Sequence, residues 1–121
     1  MAKTIMIVDD DEMNLRMAEF ILGQKGYITI KVASGMECWS RLQQEKVDLI
    51  LLDIEMPIMN GIKTFEKIRS KEEYADIPVM FLTASADSET VLEVGKMGAV
   101  DYIKKPFMPQ DLLDRVGKVL G

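Results

Sequence analysis

Val47-Asp48-Leu49-Ile50-Leu51-Leu52-Asp53, followed by Pro57, is the stretch on which the fold turns. Residues 47–52 read as the most apolar strand of the chain, and such a strand sits at the centre of a sheet. It ends on a carboxylate, Asp53, and Pro57 breaks the chain after it. A helix is expected from about Asn60 to Ser70. The longest wholly apolar run, Leu49 to Leu52, is far too short to span a bilayer.

Outward from this strand, short apolar runs alternate with longer amphipathic ones. Thr4 to Val8 reads as a buried strand. Asp11 to Gln24 carries Leu15, Ala18, Ile21 and Leu22 at helical spacing, with Gly26 after the stop. Tyr27 to Ala33 alternates, with Ile28, Ile30 and Val32 on one side, as expected of a strand at the margin of a sheet. Ser34 and Glu37 form a capping-box pattern that opens a helix through about Glu45. Pro78 introduces a strand over Val79 to Leu82. Ser88 and Glu89 start a helix that stops near Gly98. Tyr102-Ile103 is a short fifth strand, and Pro109 stands in the first turn of a helix reaching about Leu120.

Five βα units thus fill residues 1–121 as a single domain, with no repeat, linker or low-complexity tract. Strands separated by helices predict an α/β, doubly wound, three-layer sandwich. Its parallel sheet has right-handed crossovers and helices on both faces. A chain of 121 residues can bury a core without disulfides or a structural metal. At 29% charged and 48% hydrophobic residues, disorder is not expected. The single cysteine, Cys38, excludes an internal disulfide and a Cys-rich zinc site, and reads as a small packed helix residue. An unpaired thiol and the lack of a signal-peptide core point to the cytoplasm, with no membrane association. A net charge of −5 argues against direct nucleic-acid binding. With no histidine, the chain cannot itself be a histidine kinase, a histidine phosphotransfer domain or a Ser-His-Asp enzyme.

Ligands of such sheets bind at the carboxyl ends of the strands, where the strand order reverses. The first strand ends in Asp9, Asp10 and Asp11, the third in Asp53, and the fourth in Thr83; the fifth is followed by Lys105-Pro106. The second offers little, which puts it at the margin and predicts the order 2-1-3-4-5. Carboxylates gathered in one place repel one another, and burial makes this worse. A hard divalent cation resolves the conflict: Mg2+, for which Mn2+ can substitute, takes oxygen ligands and accepts phosphate oxygens. Two or three carboxylates with an open face make a phosphoryl-transfer site, in which one carboxylate can act as nucleophile. Asp53, at the end of the most apolar strand, suits that role; Asp9 and Asp10 suit metal holding. Lys105 can pair with phosphoryl oxygens, and Thr83 can donate a hydroxyl hydrogen bond to them.

Val8-Asp9-Asp10, Leu52-Asp53-Ile54-Glu55-Met56-Pro57, Leu82-Thr83-Ala84 and Tyr102-Ile103-Lys104-Lys105-Pro106-Phe107 together resemble the receiver domain of two-component response regulators, over essentially the whole chain. The resemblance implies a flavodoxin-like (βα)5 fold. It implies that Asp53 is the phosphoacceptor, and that Asp9 and Asp10 hold Mg2+ with Asp53 and the backbone carbonyl of Glu55. Thr83 and Lys105 would bind the phosphoryl group, and Tyr102 would turn inward with Thr83 as a switch. It further implies a cis Lys105-Pro106 bond, a histidine kinase or phosphotransfer protein as donor, and an output partner or domain downstream. Such a domain is not a turnover enzyme. Asp101 and Arg115 match positions that pair across a homodimer of the fourth helix, fifth strand and fifth helix, or else form a local bridge.

Some residues depart from this pattern or read plainly. Asn60-Gly61 stands where Asp-Gly is frequent, and Asn tolerates the same turn. Glu55 puts an acid beside the site, where it could repel anionic donors or occupy the site before phosphorylation. Asp11 reads as a helix cap, Lys104 as solvated charge, and Trp39 as partly exposed. Met6, Met17, Met80 and Met97 read as gap-filling core residues. Two other classes fit the residues less well. A haloacid-dehalogenase-type aspartyl-phosphate hydrolase would need an Asp-x-Asp-x-Thr/Val run, which Asp9-x-Asp11-x-Met13 breaks. A flavin module would need a phosphate loop where Asp9 to Glu12 would repel phosphate.

Overall fold

The computed structural model describes residues 2–84 and 88–121. Its elements are β1 (Thr4–Val8), α1 (Glu12–Gly23), β2 (Ile28–Val32), α2 (Gly35–Leu42), β3 (Leu49–Asp53), α3 (Gly61–Ser70), β4 (Val79–Thr83), α4 (Ser88–Lys96), β5 (Asp101–Lys104) and α5 (Pro109–Leu120). The five strands are parallel in the order β2-β1-β3-β4-β5, as expected.

Alternation along the strands sorts side chains into two cores. Met6, Val8, Ile50, Leu52 and Phe81 face Cys38 and Leu42 of α2 and Phe65 and Ile68 of α3. Ile5, Ile7, Leu51, Leu82 and Ile103 face Leu15, Ala18 and Leu22 of α1 and Leu112 and Val116 of α5. β3 and β4 are buried along their whole length, each apolar side chain contributing about 1.5–3 kcal/mol. β2 is one of the two edge strands, with β5 at the other margin: Ile28 is exposed, and Lys31 pairs with Glu19 of α1 on the solvent side.

Helix starts follow local chemistry. Asp11, Ser34 and Asn60 each cap a helix by accepting a backbone N–H, from Met13, Glu37 and Lys63 respectively. Gly35 lies so close to Thr64 and Met59 of the neighbouring α3 region that a Cβ there would overlap them.

The boundaries depart from the sequence reading in places. α2 stops at Leu42, and residues 43–45 form turns instead. β3 starts at Leu49, because Asp48 is used to tie the strand entry: its Oδ2 accepts from the Thr4 N–H. A 3-10 turn at Glu72–Tyr74 was not anticipated; it buries Tyr74 edge-on to Trp39, which is half-buried. Met6 and Met80 are core residues and Met97 packs against the core, but Met17 is 42% exposed. It lies on a stripe of α1 with exposed Met13 and Phe20, so the gap-filling expectation fails there. Among the described residues, no helix is long and apolar enough to cross a membrane.

Candidate functional site

Parallel register brings the polar strand ends together. Val8 pairs with Leu52, so the next residues, Asp9 and Asp53, emerge side by side. Thr83 pairs with Lys104, so Lys105 leaves the sheet one step further along the same rim. The Lys105 N–H donates to the Thr83 carbonyl at 2.8 Å, the Lys105-Pro106 bond is cis, and buried Phe107 anchors the segment beyond it.

Asp9, Asp10 and Asp53 each place a carboxylate oxygen within 4.8 Å of the others. Asp9 and Asp53 are buried and Asp10 is exposed, so the cluster has one open side. Asp9 is held on both oxygens: Oδ1 accepts from the Asp11 N–H at 2.9 Å, and Oδ2 from Asn14 Nδ2 at 3.2 Å and Lys105 Nζ at 3.4 Å. Asp53 Oδ1 accepts from Lys105 Nζ at 2.9 Å and from the Glu55 N–H at 3.3 Å. Asp53 Oδ2 is buried with no hydrogen-bond partner among the described residues.

This electrostatic arrangement is unbalanced. Burial pushes the Asp53 carboxyl up to about 7; the charges of Asp9 and Glu55 add to the rise, and Lys105 opposes it. Burial also works against the Lys105 charge, but Asp53 and Asp9 outweigh it and raise the Lys105 pKa above its ordinary value. A buried carboxylate oxygen left unsatisfied beside two further carboxylates fits a hard divalent cation.

Thr83 is buried, and its hydroxyl donates to Glu55 Oε1 at 3.2 Å. Tyr102 is half-buried on β5, with the Arg115 guanidinium 5.2 Å from its ring centre. Arg115 bridges Asp101 at 2.6 Å and Asp111 at 2.8 Å within the same chain, so the local-bridge reading of Asp101 and Arg115 describes this structure. Lys104 is exposed.

Two residues shape the site in ways the sequence reading did not assign: Asn14 goes unnamed there, and Gly61 figures only as part of a turn. Asn14 reaches back from the first turn of α1 to fix Asp9; a polar residue five positions after an acid gave only a faint signal. Gly61 packs against the main chain of Asp53, where a Cβ would overlap the Asp53 carbonyl oxygen. Its N–H also donates to the Ile54 carbonyl at 2.9 Å, closing the loop that follows Asp53. A cavity of about 490 Å3 lies elsewhere, among Leu42, Val47, Tyr74 and Ile77 in the segments that lead into β3 and β4, at the opposite strand ends from Asp9 and Asp53.

The profile of the response regulator receiver domain matches residues 5–117. The chain is 31% identical over 121 residues to the polar-differentiation response regulator DivK of Brucella ovis, spanning all of this chain and 98% of that one. It is 35% identical over 118 residues to the phosphate regulon transcriptional regulatory protein PhoB of Pseudomonas aeruginosa, of which it spans 52%. The chemotaxis protein CheY4 of Vibrio cholerae superposes with a TM-score of 0.93 at 28% identity, over 98% of this chain and 99% of that one.

Proposed function

Because the chain belongs to the response regulator receiver domain family, a family of signalling modules, we propose that Asp53 accepts a phosphoryl group and that the domain relays this event as a change of shape. The observation that carries the reading is the Asp53 carboxylate, buried at the sheet rim with one oxygen on Lys105 and the other unsatisfied among the described residues.

In this reading a carboxylate oxygen of Asp53 attacks the phosphorus of a phosphohistidine on a partner kinase or phosphotransfer protein. The P–N bond breaks, the histidine nitrogen leaves with its electron pair, and an acyl phosphate remains. Mg2+ would be held by Asp9, Asp10, Asp53 and the Glu55 carbonyl, and would supply charge neutralisation for the arriving phosphoryl oxygens. Lys105, already 2.9 Å from Asp53, then exchanges part of its bond to the carboxylate for a phosphoryl oxygen. Thr83 donates its hydroxyl to another. The added charge, about −2, draws both groups inward, and Tyr102 follows Thr83. The face of α4, β5 and α5 is then the output surface, offered to an effector or to a second copy of the chain. The only chemistry catalysed is the domain's own phosphorylation and dephosphorylation.

The test is incubation with Mg2+ and acetyl phosphate, read by intact mass. One phosphoryl group should be gained, and Asp53→Asn should gain none. Labelling that persists in Asp53→Asn would refute the assignment.

A further inference from the structure

We propose that the Glu55 side chain is a positioning residue: it holds the Thr83 hydroxyl before phosphorylation and must release it when a phosphoryl group arrives. The proposal rests on the reading of Asp53 as phosphoacceptor and adds a step to it.

Residue 55 touches two strand ends at once. Its N–H donates to Asp53 Oδ1 at 3.3 Å, at the end of β3, and its carboxylate accepts from Thr83 Oγ1 at 3.2 Å, at the end of the adjacent β4. Thr83 itself is buried, so its hydroxyl is aimed into the rim rather than at solvent. Glu55 forms no ion pair among the described residues. Lys105, the cation of the site, is engaged with Asp53 and Asp9 instead. The bond to Thr83 is therefore the side-chain contact that fixes where this exposed carboxylate lies.

A carboxylate oxygen is an anionic acceptor, like a phosphoryl oxygen, and so competes with it for the same donor; at 3.2 Å its bond to Thr83 is longer than a tight charge-assisted one, so it can be exchanged. Glu55 thus offers Thr83 an internal anion at the paired carboxyl ends of β3 and β4. An external anion on Asp53 has to displace it from the same hydroxyl. The consequence is a raised threshold: Thr83 is not waiting empty, and weak anionic donors meet both a competitor and a like charge.

The experiment uses the full chain saturated with Mg2+ and titrates beryllofluoride, an inert phosphoryl mimic, by calorimetry and by NMR of threonine methyl groups. Glu55→Ala should bind beryllofluoride about tenfold more tightly than the parent. Glu55→Gln, which keeps an acceptor oxygen but loses the charge, should fall about midway. The Thr83 methyl signal should move in Glu55→Ala before any beryllofluoride is added. In a Thr83→Ala background the gain from Glu55→Ala should shrink to about twofold, since only charge repulsion is left to remove. A gain that stays about tenfold in that background would overturn the proposal, because Glu55 would then act through charge alone. An unmoved Thr83 signal with unchanged affinity in Glu55→Ala would overturn it as well. Binding by Asp53→Asn equal to the parent would instead overturn the site assignment, so the two failures are distinguishable.

Discussion

Asp53 carries a carboxyl that burial, together with Asp9 and Glu55, pushes up to about 7, while in an unfolded chain it would titrate near 3.8. Below about pH 4 the group is neutral in both states, so removing its charge changes little. Above pH 7 the folded chain holds a buried charge that the unfolded chain holds in water. In the metal-free protein, Asp53→Asn should therefore raise stability by about 2–4 kcal/mol at pH 8, with the gain fading as pH falls from 7 to 4. Urea unfolding in chelator across this range checks it; a gain independent of pH would contradict the electrostatic account. Gly61 bears on the same residue through the backbone. Gly61→Ala forces a methyl against the Asp53 carbonyl, which cannot rotate away. The expected cost is about 1–3 kcal/mol by urea midpoint, with phosphorylation from acetyl phosphate markedly slowed. Thr64, also buried, lies across from Gly35 in the same way, so α2 and α3 approach closely at that point.

At the scale of elements, the loop between β3 and α3 holds a conflict. Ile58 is a β-branched residue at φ 67°, in the left-handed region, and is 97% exposed, so burial offsets none of the strain. Replacing it with glycine removes a conformational cost of about 1–2 kcal/mol and adds about 0.5–1 of chain flexibility. Ile58→Gly should thus raise stability by about 0.5–1 kcal/mol in urea unfolding; a loss would show that the loop gains something from the side chain. The caps at Asp11, Ser34 and Asn60 were legible because each is a short polar side chain standing just before a helical pattern. A strand-end aspartate alone is often only a helix cap, as Asp11 is; the acids at the ends of β1 and β3 were legible because Thr83 and Lys105 stand at matching strand ends. Other features left no local signature. The turn at Glu72–Tyr74 depends on Tyr74 meeting Trp39 across the fold. The need for glycine at positions 35 and 61 depends on Met59 and Thr64, 24 and 29 residues further along, in one case and on the main chain of Asp53 in the other. The bond from Glu55 to Thr83 depends on the pairing of β3 with β4, which sequence pattern could propose but not dimension.

In the molecule as a whole, the sheet divides the interior into two cores that share no side chains. Ile68 lies in one and Ile103 in the other, both fully buried. Ile68→Val and Ile103→Val should each cost about 0.5–1.5 kcal/mol, and the double variant should equal their sum within about 0.5 kcal/mol. Strong coupling between them would mean that the sheet transmits packing strain from face to face. The strand order was legible because the end of β2 offers no chemistry, which leaves it the margin. The exposed stripe of α1 was not, since helical spacing alone does not distinguish Met17 on the surface from Ala18 inside. That surface sulfur has a chemical consequence. Met13, Met36 and Met108 are each about two-thirds exposed, while Met6 and Met80 are fully enclosed. Dilute peroxide should therefore convert the first three to sulfoxides while the protein keeps its shape, and should reach the last two only after it unfolds. The chain would then carry, in its own thioethers, a graded record of oxidant exposure.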